Sequence, residues 1–175
     1  GSTDLVARVM ADALQQELGR AVVVDNRGGA GGLVGFQRLI KSEPDGHTLN
    51  FSNMSLLIIP HLYPKGNFDP LADLAPVASV ANVPMVLAVS NASGIRDVAN
   101  LLGRMRENPG KVNFGSGGPG TTAHLSEALF FNMTRVDGTM VQYRGSGPAL
   151  VDLMSGVIDG MLDQTVTLMP LHADK

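Results

Sequence analysis

The sequence contains no cysteine and no tryptophan, and aromatic residues make up only 5% of its 175 residues. The absence of cysteine excludes disulfide bonds and thiolate metal sites. The 13 basic residues form no run and are outnumbered by 16 acidic ones, which argues against a nucleic-acid partner. No apolar run is long enough to cross a membrane, and no signal peptide is visible.

Several motifs of enzymes are also missing. No Lys-Ser or Lys-Thr pair closes a glycine loop, so a Walker motif is absent, and Gly-x-Ser-x-Gly does not occur. The four histidines are scattered, and none has the spacing of a metal site. We therefore expect no metal, no resident cofactor and no acid–base set for catalysis.

Glycine is abundant, with 21 residues, and it clusters at places where strands lead into helices. The main example is residues 111–131, which predict a short strand, a glycine-rich turn and a helix. Glycines let the backbone approach a ligand closely, and a helix start offers unpaired N–H groups and a positive dipole end. This combination favours binding of an anion such as phosphate or carboxylate.

The rest of the chain alternates between strand-like and helical patterns. The first predicted helix, residues 4–18, has Ser2 or Thr3 as its N-cap and ends at Gly19. Further helices are predicted at 35–41, 56–62, 95–107 and 149–154, and strands at 21–24, 47–51, 77–80, 85–89, 139–143 and 157–162. This alternation predicts an α/β fold with mainly parallel sheets, in which ligands bind beyond the carboxyl ends of strands.

Three Gly/Ser/Thr loops at helix starts, residues 1–4, 116–122 and 145–148, suggest backbone amides that grip a carboxylate without catalysis. Asp4 either complements the dipole of its helix or contacts a ligand. Asp163 follows the last predicted strand, where it either forms a turn or binds. For Asn26 and Arg27 we favour a structural role within their loop.

Two other interpretations stay open. Gly115-x-Gly117-x-x-Gly120 formally matches a dinucleotide-binding turn and would suit an NAD(P)-dependent oxidoreductase. The acidic residue that this motif needs after the next strand is absent, since that strand ends at Tyr143 and Arg144. Alternatively, the glycine loops are only helix caps in a structural domain.

Several stretches resemble the Bug-type solute receptors of tripartite tricarboxylate transporters. They are STDxxAR at 2–8, VVVDNRGGAGG at 22–32, PDGHTL at 44–49, LYP at 62–64, NPGKVNF at 108–114 and YRGSGPAL at 143–150. The similarity runs in order over nearly the whole chain.

The resemblance implies a type II periplasmic-binding-protein fold with two α/β lobes that close on a small carboxylate. Residues 1–84 would form part of the first lobe and residues 85–175 the second. The implied ligand residues are Ser2, Thr3 and Asp4 from one lobe, and Ser116, Gly120, Thr121, Thr122, His124, Ser146 and Asp163 from the other. The implied location is the periplasm, and the implied partners are the transporter's membrane subunits.

The resemblance further implies that the first lobe is incomplete and that the chain is a fragment of a longer receptor. An exposed sheet edge would then favour self-association.

Overall fold

A computed structural model describes residues 1–173, which form two compact units, Gly1–Val80 and a second that begins at Ala81. We refer to them as unit 1 and unit 2 and describe each by itself. The lobe boundary that the sequence suggests after Pro84 stays a prediction.

Unit 1 opens with α1 (Ser2–Leu18), which ends at Gly19 in the left-handed conformation, as the sequence predicts. The predicted N-cap is wrong, because Gly1 occupies that position and makes no side-chain capping bond. Ser2 and Thr3 instead lie in the first helical turn.

Two further helices of unit 1 enclose a small apolar core. A 3₁₀ turn (Ala30–Gly32) leads into α2 (Leu33–Ile40), and α3 (Ser55–Leu62) is followed by a second 3₁₀ turn (Pro64–Gly66). Both helices are close to their predicted positions. The core brings together Leu33, Phe36, Ile59 and Phe68, and the two phenylalanine rings stack with centroids 4.7 Å apart.

Three predicted strands of unit 1, at 21–24, 47–51 and 77–80, are not formed in the structure. A strand exists only where its N–H and C=O groups pair with a neighbour. No described segment of unit 1 pairs with these residues. Several of their apolar side chains are exposed as well, with Val23 85% and Val77 82% accessible.

Unit 2 contains a four-stranded sheet of β1 (Met85–Val89), β2 (Asn113–Ser116), β3 (Thr139–Gln142) and β4 (Gly160–Gln164), in the order β1-β4-β2-β3. Strands β3 and β4 run parallel to β2, and β1 is antiparallel to β4. The predicted α/β class with mainly parallel pairing is confirmed.

Helices cover both faces of this sheet. They are α4 (Val98–Glu107), α5 (Thr122–Thr134), α6 (Ser146–Ser155) and α7 (Thr165–Ala173), with a 3₁₀ turn (Asn91–Ser93) before α4. One core, around Leu101, Met105 and Phe114, includes side chains of α4 and α5. The other, around Leu153 and Met161, includes side chains of α6 and α7. Successive β1 residues alternate between the two cores, as the pleat of a sheet requires.

Two helices of unit 2 begin at residues other than the predicted ones. Helix α4 begins at Val98 rather than at residue 95, because Asp97 adopts an extended conformation and its side chain accepts the Asn100 N–H. Helix α6 begins three residues early, at Ser146. Among the described residues, no helix combines the length and apolar character that a membrane span needs.

Gly115 in β2 offers a test of the packing in unit 2. A Cβ at this position would lie 2.3 Å from Cδ1 of the buried Ile158 and 3.2 Å from the Tyr143 ring. We expect Gly115→Ala to lower the free energy of unfolding by about 1–3 kcal/mol through overpacking. Urea unfolding followed by circular dichroism measures this.

Gly103→Ala is the matched control, because a Cβ at Gly103 in α4 meets nothing within 4 Å. It should stabilise the helix by about 0.5–1 kcal/mol. Equal effects of the two substitutions would contradict the packing described for β2.

Candidate functional site

The candidate site of unit 2 lies at one edge of its sheet. Since β2, β3 and β4 are parallel, their carboxyl ends meet at this edge, and α5, α6 and α7 begin there. The structure thus brings to one edge all seven residues implied for the second lobe: Ser116, Gly120, Thr121, Thr122, His124, Ser146 and Asp163.

Two loops at this edge, residues 117–121 after β2 and 143–145 after β3, are held together by backbone hydrogen bonds. The Tyr143 N–H donates to the Ser116 carbonyl at 2.9 Å, and the Gly145 N–H donates to the Gly117 carbonyl at 3.1 Å. The Ser116 hydroxyl, fully buried, donates to Gln142 Oε1 at 2.9 Å. These bonds continue the pairing of β2 with β3 and place the starts of α5 and α6 side by side.

Glycine is favoured where the two loops touch. Gly118 has a φ of +112°, and a Cβ there would lie 3.1 Å from the Tyr143 carbonyl oxygen. A Cβ on Gly117 would lie 3.3 Å from the Ser146 nitrogen, the first amide of α6. The absence of these side chains leaves the backbone of one loop in close contact with the other.

The start of α5 is capped by its own side chains. The Thr121 hydroxyl oxygen accepts the His124 N–H at 3.4 Å, and the hydroxyl donates to the Gly118 carbonyl at 2.7 Å. The Gly120 N–H donates to Nδ1 of His124 at 3.3 Å. Burial lowers the pKa of His124.

The start of α6 has a different character. Its N-cap residue is Gly145, with no side-chain capping bond. The first amides of α6, at Ser146 and Gly147, therefore have no competing side-chain acceptor from the cap position, and they suit an external anion.

Asp163 is the second-to-last residue of β4 rather than a residue beyond its end, so the predicted strand boundary is wrong. The residue is only 4% exposed. Its Oδ1 accepts the Gln164 N–H at 2.7 Å, while Oδ2 is buried without a hydrogen-bond partner in the described chain. The hydroxyls of Thr122 and Thr167 are buried and unpartnered in the same way.

Glu127, on the inner face of α5, was missed by the sequence analysis. It is fully buried, and neither carboxyl oxygen has a hydrogen-bond partner among the described residues. Burial raises its pKa to about 8, a backbone contact from Leu162 opposes this, and the charge of Asp163 adds to it. We therefore predict that Glu127 carries its proton at neutral pH.

A signal for Glu127 exists in the sequence. It lies four residues after the buried Ala123 and three before Phe130, which packs in the core. Leu125, Ala128 and Leu129, which recur at helical spacing in the sequence, lie off this face, and Leu129 is 59% exposed. The predicted helix is confirmed.

The candidates of unit 1 lie in the first turn of α1 and contact nearby loops. The Asp4 carboxylate accepts the Asn26 amide N–H at 2.7 Å and pairs with Arg8 Nε at 3.1 Å, and both contacts lower its pKa. Thr3 Oγ1 accepts from Asn53 at 3.5 Å. Asn26 thus makes a structural contact, as favoured above, and the ligand roles of Ser2, Thr3 and Asp4 stay predictions.

The glycines of the dinucleotide-like motif have a different physical explanation. Gly115 makes room for Ile158 and Tyr143, and Gly117 makes room for the start of α6. The strand after the motif ends at Gln142 without an acidic residue. The third glycine of the motif, Gly120, has a φ of +80°, so packing and backbone conformation within unit 2 account for the pattern.

Comparisons with known proteins agree on one family. A family model described as "Tripartite tricarboxylate transporter family receptor" matches residues 6–173. The protein BugT of Bordetella pertussis is 42% identical over 160 residues, covering 90% of this chain and 49% of BugT. A UPF0065 protein from the tcbD–tcbE intergenic region of Pseudomonas sp. strain P51 is 39% identical, covering 95% and 50%. The chain spans about half the length of these relatives.

Solved structures are similar over nearly the whole chain. A structure described as a periplasmic transporter has a TM-score of 0.92 and 38% identity, covering 97% of this chain and 57% of its own. Rpa4515 of R. palustris with adipate has a TM-score of 0.86, 32% identity and coverage of 99% and 58%. MatC from Rhodopseudomonas palustris with bound malate has a TM-score of 0.85 and 29% identity, covering 98% of this chain and 59% of its own. The periplasmic-binding-protein fold predicted from the sequence is confirmed.

Glu127→Gln tests whether this buried acid is neutral. If the pKa of the Glu127 carboxyl is 4.5 in the unfolded chain and about 8 in the folded protein, the folded protein keeps this proton up to a higher pH. Stability should therefore fall as pH rises from 4.5 to about 8 and then level off. Gln cannot ionise. The free energy of unfolding of Glu127→Gln should therefore rise relative to that of the wild type by up to about 1.4 kcal/mol per pH unit in this window.

The measurement is urea unfolding between pH 5 and pH 9. Glu107→Gln is the control, since Glu107 is exposed at the end of α4 and should show no such gain. A constant difference between wild type and Glu127→Gln at every pH would rule out the neutral acid.

Proposed function

The chain belongs to the tripartite tricarboxylate transporter receptor family, and on that premise we propose that it captures a small organic carboxylate in the periplasm. The whole receptor then delivers this ligand to the membrane subunits of such a transporter. No chemical change of the ligand is part of this function.

The observation that carries the proposal is the pair of adjacent helix starts in unit 2. The loops before α5 and α6 are joined by the Gly145–Gly117 hydrogen bond of 3.1 Å. Each helix contributes the positive end of its dipole and amides that point beyond the sheet. Two such ends suit a carboxylate, whose two oxygens accept charge-assisted hydrogen bonds from N–H donors.

We assign the ligand contacts of unit 2 to residues of both helix starts. Ser146 contributes the first amide of α6, and Thr121, Thr122 and His124 act from the start of α5. Related structures contain adipate and malate, which are small dicarboxylates. This supports the same ligand class here.

A thermal melt against malate, adipate, citrate and aspartate tests the proposal, with NADH and NADPH as controls. A ligand that binds only the folded state stabilises it by mass action, by about 2.7 kcal/mol at a hundredfold excess over the dissociation constant. We expect a rise in Tm with at least one carboxylate. A rise with a nucleotide alone would overturn the receptor and support the oxidoreductase.

Two capping variants separate a ligand site from a purely structural domain. Thr121→Ala with Thr122→Ala removes the cap of α5, and Asp97→Ala removes the cap of α4. Each should cost about 0.5–2 kcal/mol of stability. Since β1 runs antiparallel to β4, α4 begins at the opposite edge, and only the threonine pair should abolish the ligand-induced rise. Equal loss of binding in both variants would indicate that the threonines act only as caps.

We also propose that the chain associates with a second copy through the extended segments of unit 1. Val23, Leu49 and Val77 lie in these segments and are 85%, 61% and 82% exposed. Unpaired backbone beside exposed apolar side chains is a template for pairing with another chain.

Size-exclusion chromatography with light scattering at increasing concentration tests this association. We expect the mass to rise above the 18.4 kDa of one copy, and Val23→Lys with Val77→Lys to reduce the rise. Leu129→Lys, at an exposed position of α5, is the control and should have no effect. A monomer at every concentration would refute the association.

A further inference from the structure

We propose that His124 is a positioning residue of the carboxylate site in unit 2, which holds the loop 117–121 in shape by accepting a hydrogen bond from the Gly120 N–H. This inference rests on the proposed function, which assigns the site to a carboxylate. The contact itself is independent of any ligand. It joins the Gly120 N–H to Nδ1 of His124 at 3.3 Å.

The contact lies at the point where the loop turns into α5. Gly120 has a φ of +80°, and the next residue, Thr121, is the N-cap of the helix. The Thr121 hydroxyl oxygen accepts the His124 N–H at 3.4 Å. His124 is thus bonded to the loop through both its backbone and its ring, and the Gly120 N–H is directed toward that ring.

The direction of this bond determines the tautomer of the ring. An Nδ1 that accepts a hydrogen bond carries no proton, so the proton of the neutral imidazole is on Nε2. Nε2 makes no hydrogen bond within the described part of the chain and remains a donor for an oxygen of the ligand. In this proposal, Nδ1 of His124 binds the loop and Nε2 is available to donate to a carboxylate.

Protonation of His124 would convert Nδ1 from an acceptor into a donor that faces the Gly120 N–H. Helix α5 packs mainly on β2 and β4, and the ionisable groups on these elements are Glu127 and Asp163. Burial lowers the pKa of His124, and neither of these two acids, which would raise it if charged nearby, contributes to the shift. A positioning role thus predicts weaker carboxylate binding at acidic pH, whereas attraction by a charged imidazolium would predict stronger binding.

The first experiment needs no ligand. ¹⁵N chemical shifts of the imidazole should identify the Nε2–H tautomer at pH 7.5. Hydrogen exchange of the Gly120 amide should accelerate about fivefold in His124→Gln, as expected for the loss of one neutral hydrogen bond. A proton on Nδ1, or an unchanged exchange rate in His124→Gln, would overturn the proposal.

His124→Asn is the matched variant, because its Oδ1 lies close to the position of Nδ1, whereas the amide of Gln lies one bond further out. We expect His124→Asn to retain most of the protection of Gly120. Helix propensity alone would give the opposite order, since Asn is the poorer helix former. Equal protection in Asn and Gln variants would also overturn the proposal.

The second experiment measures binding of malate and adipate by calorimetry at pH 7.5 and pH 5.5. We expect the affinity to fall more between pH 7.5 and pH 5.5 for the wild type than for His124→Asn. Ionisation of the ligand affects both proteins equally, so the difference reports on His124. An affinity that rises more at pH 5.5 for the wild type than for His124→Asn would refute the positioning role. If wild type binds neither acid, the proposed function fails on these probes, while the exchange and tautomer measurements still decide the role of His124.

Discussion

The parallel pairing of β2 with β3 is the constraint on which the candidate site depends. It extends beyond the strands themselves, through the bonds from Tyr143 to Ser116 and from Gly145 to Gly117, both between backbone atoms. Backbone pairing at this range leaves little room for Cβ atoms at Gly117 and Gly118. The use of glycine at these two positions and the adjacent helix starts follow from this pairing.

The site contains several buried polar groups without hydrogen-bond partners in the described chain. Asp163 Oδ2 and the Thr122 hydroxyl are buried without partners in the described chain, and Glu127 is kept neutral by burial. A neutral Glu127 is consistent with anion binding, because an ionised carboxylate within α5 would oppose the positive end of that helix. In the function proposed here, the dipoles and amides of the two helix starts would bind the carboxylate.

Much of unit 2 was predictable from sequence, because local signals and tertiary structure agree there. The strand at Met85–Val89 and the turn into α5 have clear patterns, and the glycine spacing located the loop. Unit 1 was less predictable, since strand propensity at 21–24 and 77–80 has no neighbour to pair with in the described residues. Glu127 was missed because a charged residue is expected on the solvent face of a helix. The contact between His124 and Gly120 depends on a ring orientation that sequence alone does not specify.

The central claim is that amides at the starts of α5 and α6 bind a carboxylate, and chemical-shift mapping tests it most directly. A carboxylate that raises the Tm would be titrated into ¹⁵N-labelled protein. Our account predicts that the largest amide shifts fall at residues 118, 120–124 and 145–147. Shifts of equal size spread over the sheet, or confined to helix ends away from this edge, would contradict it.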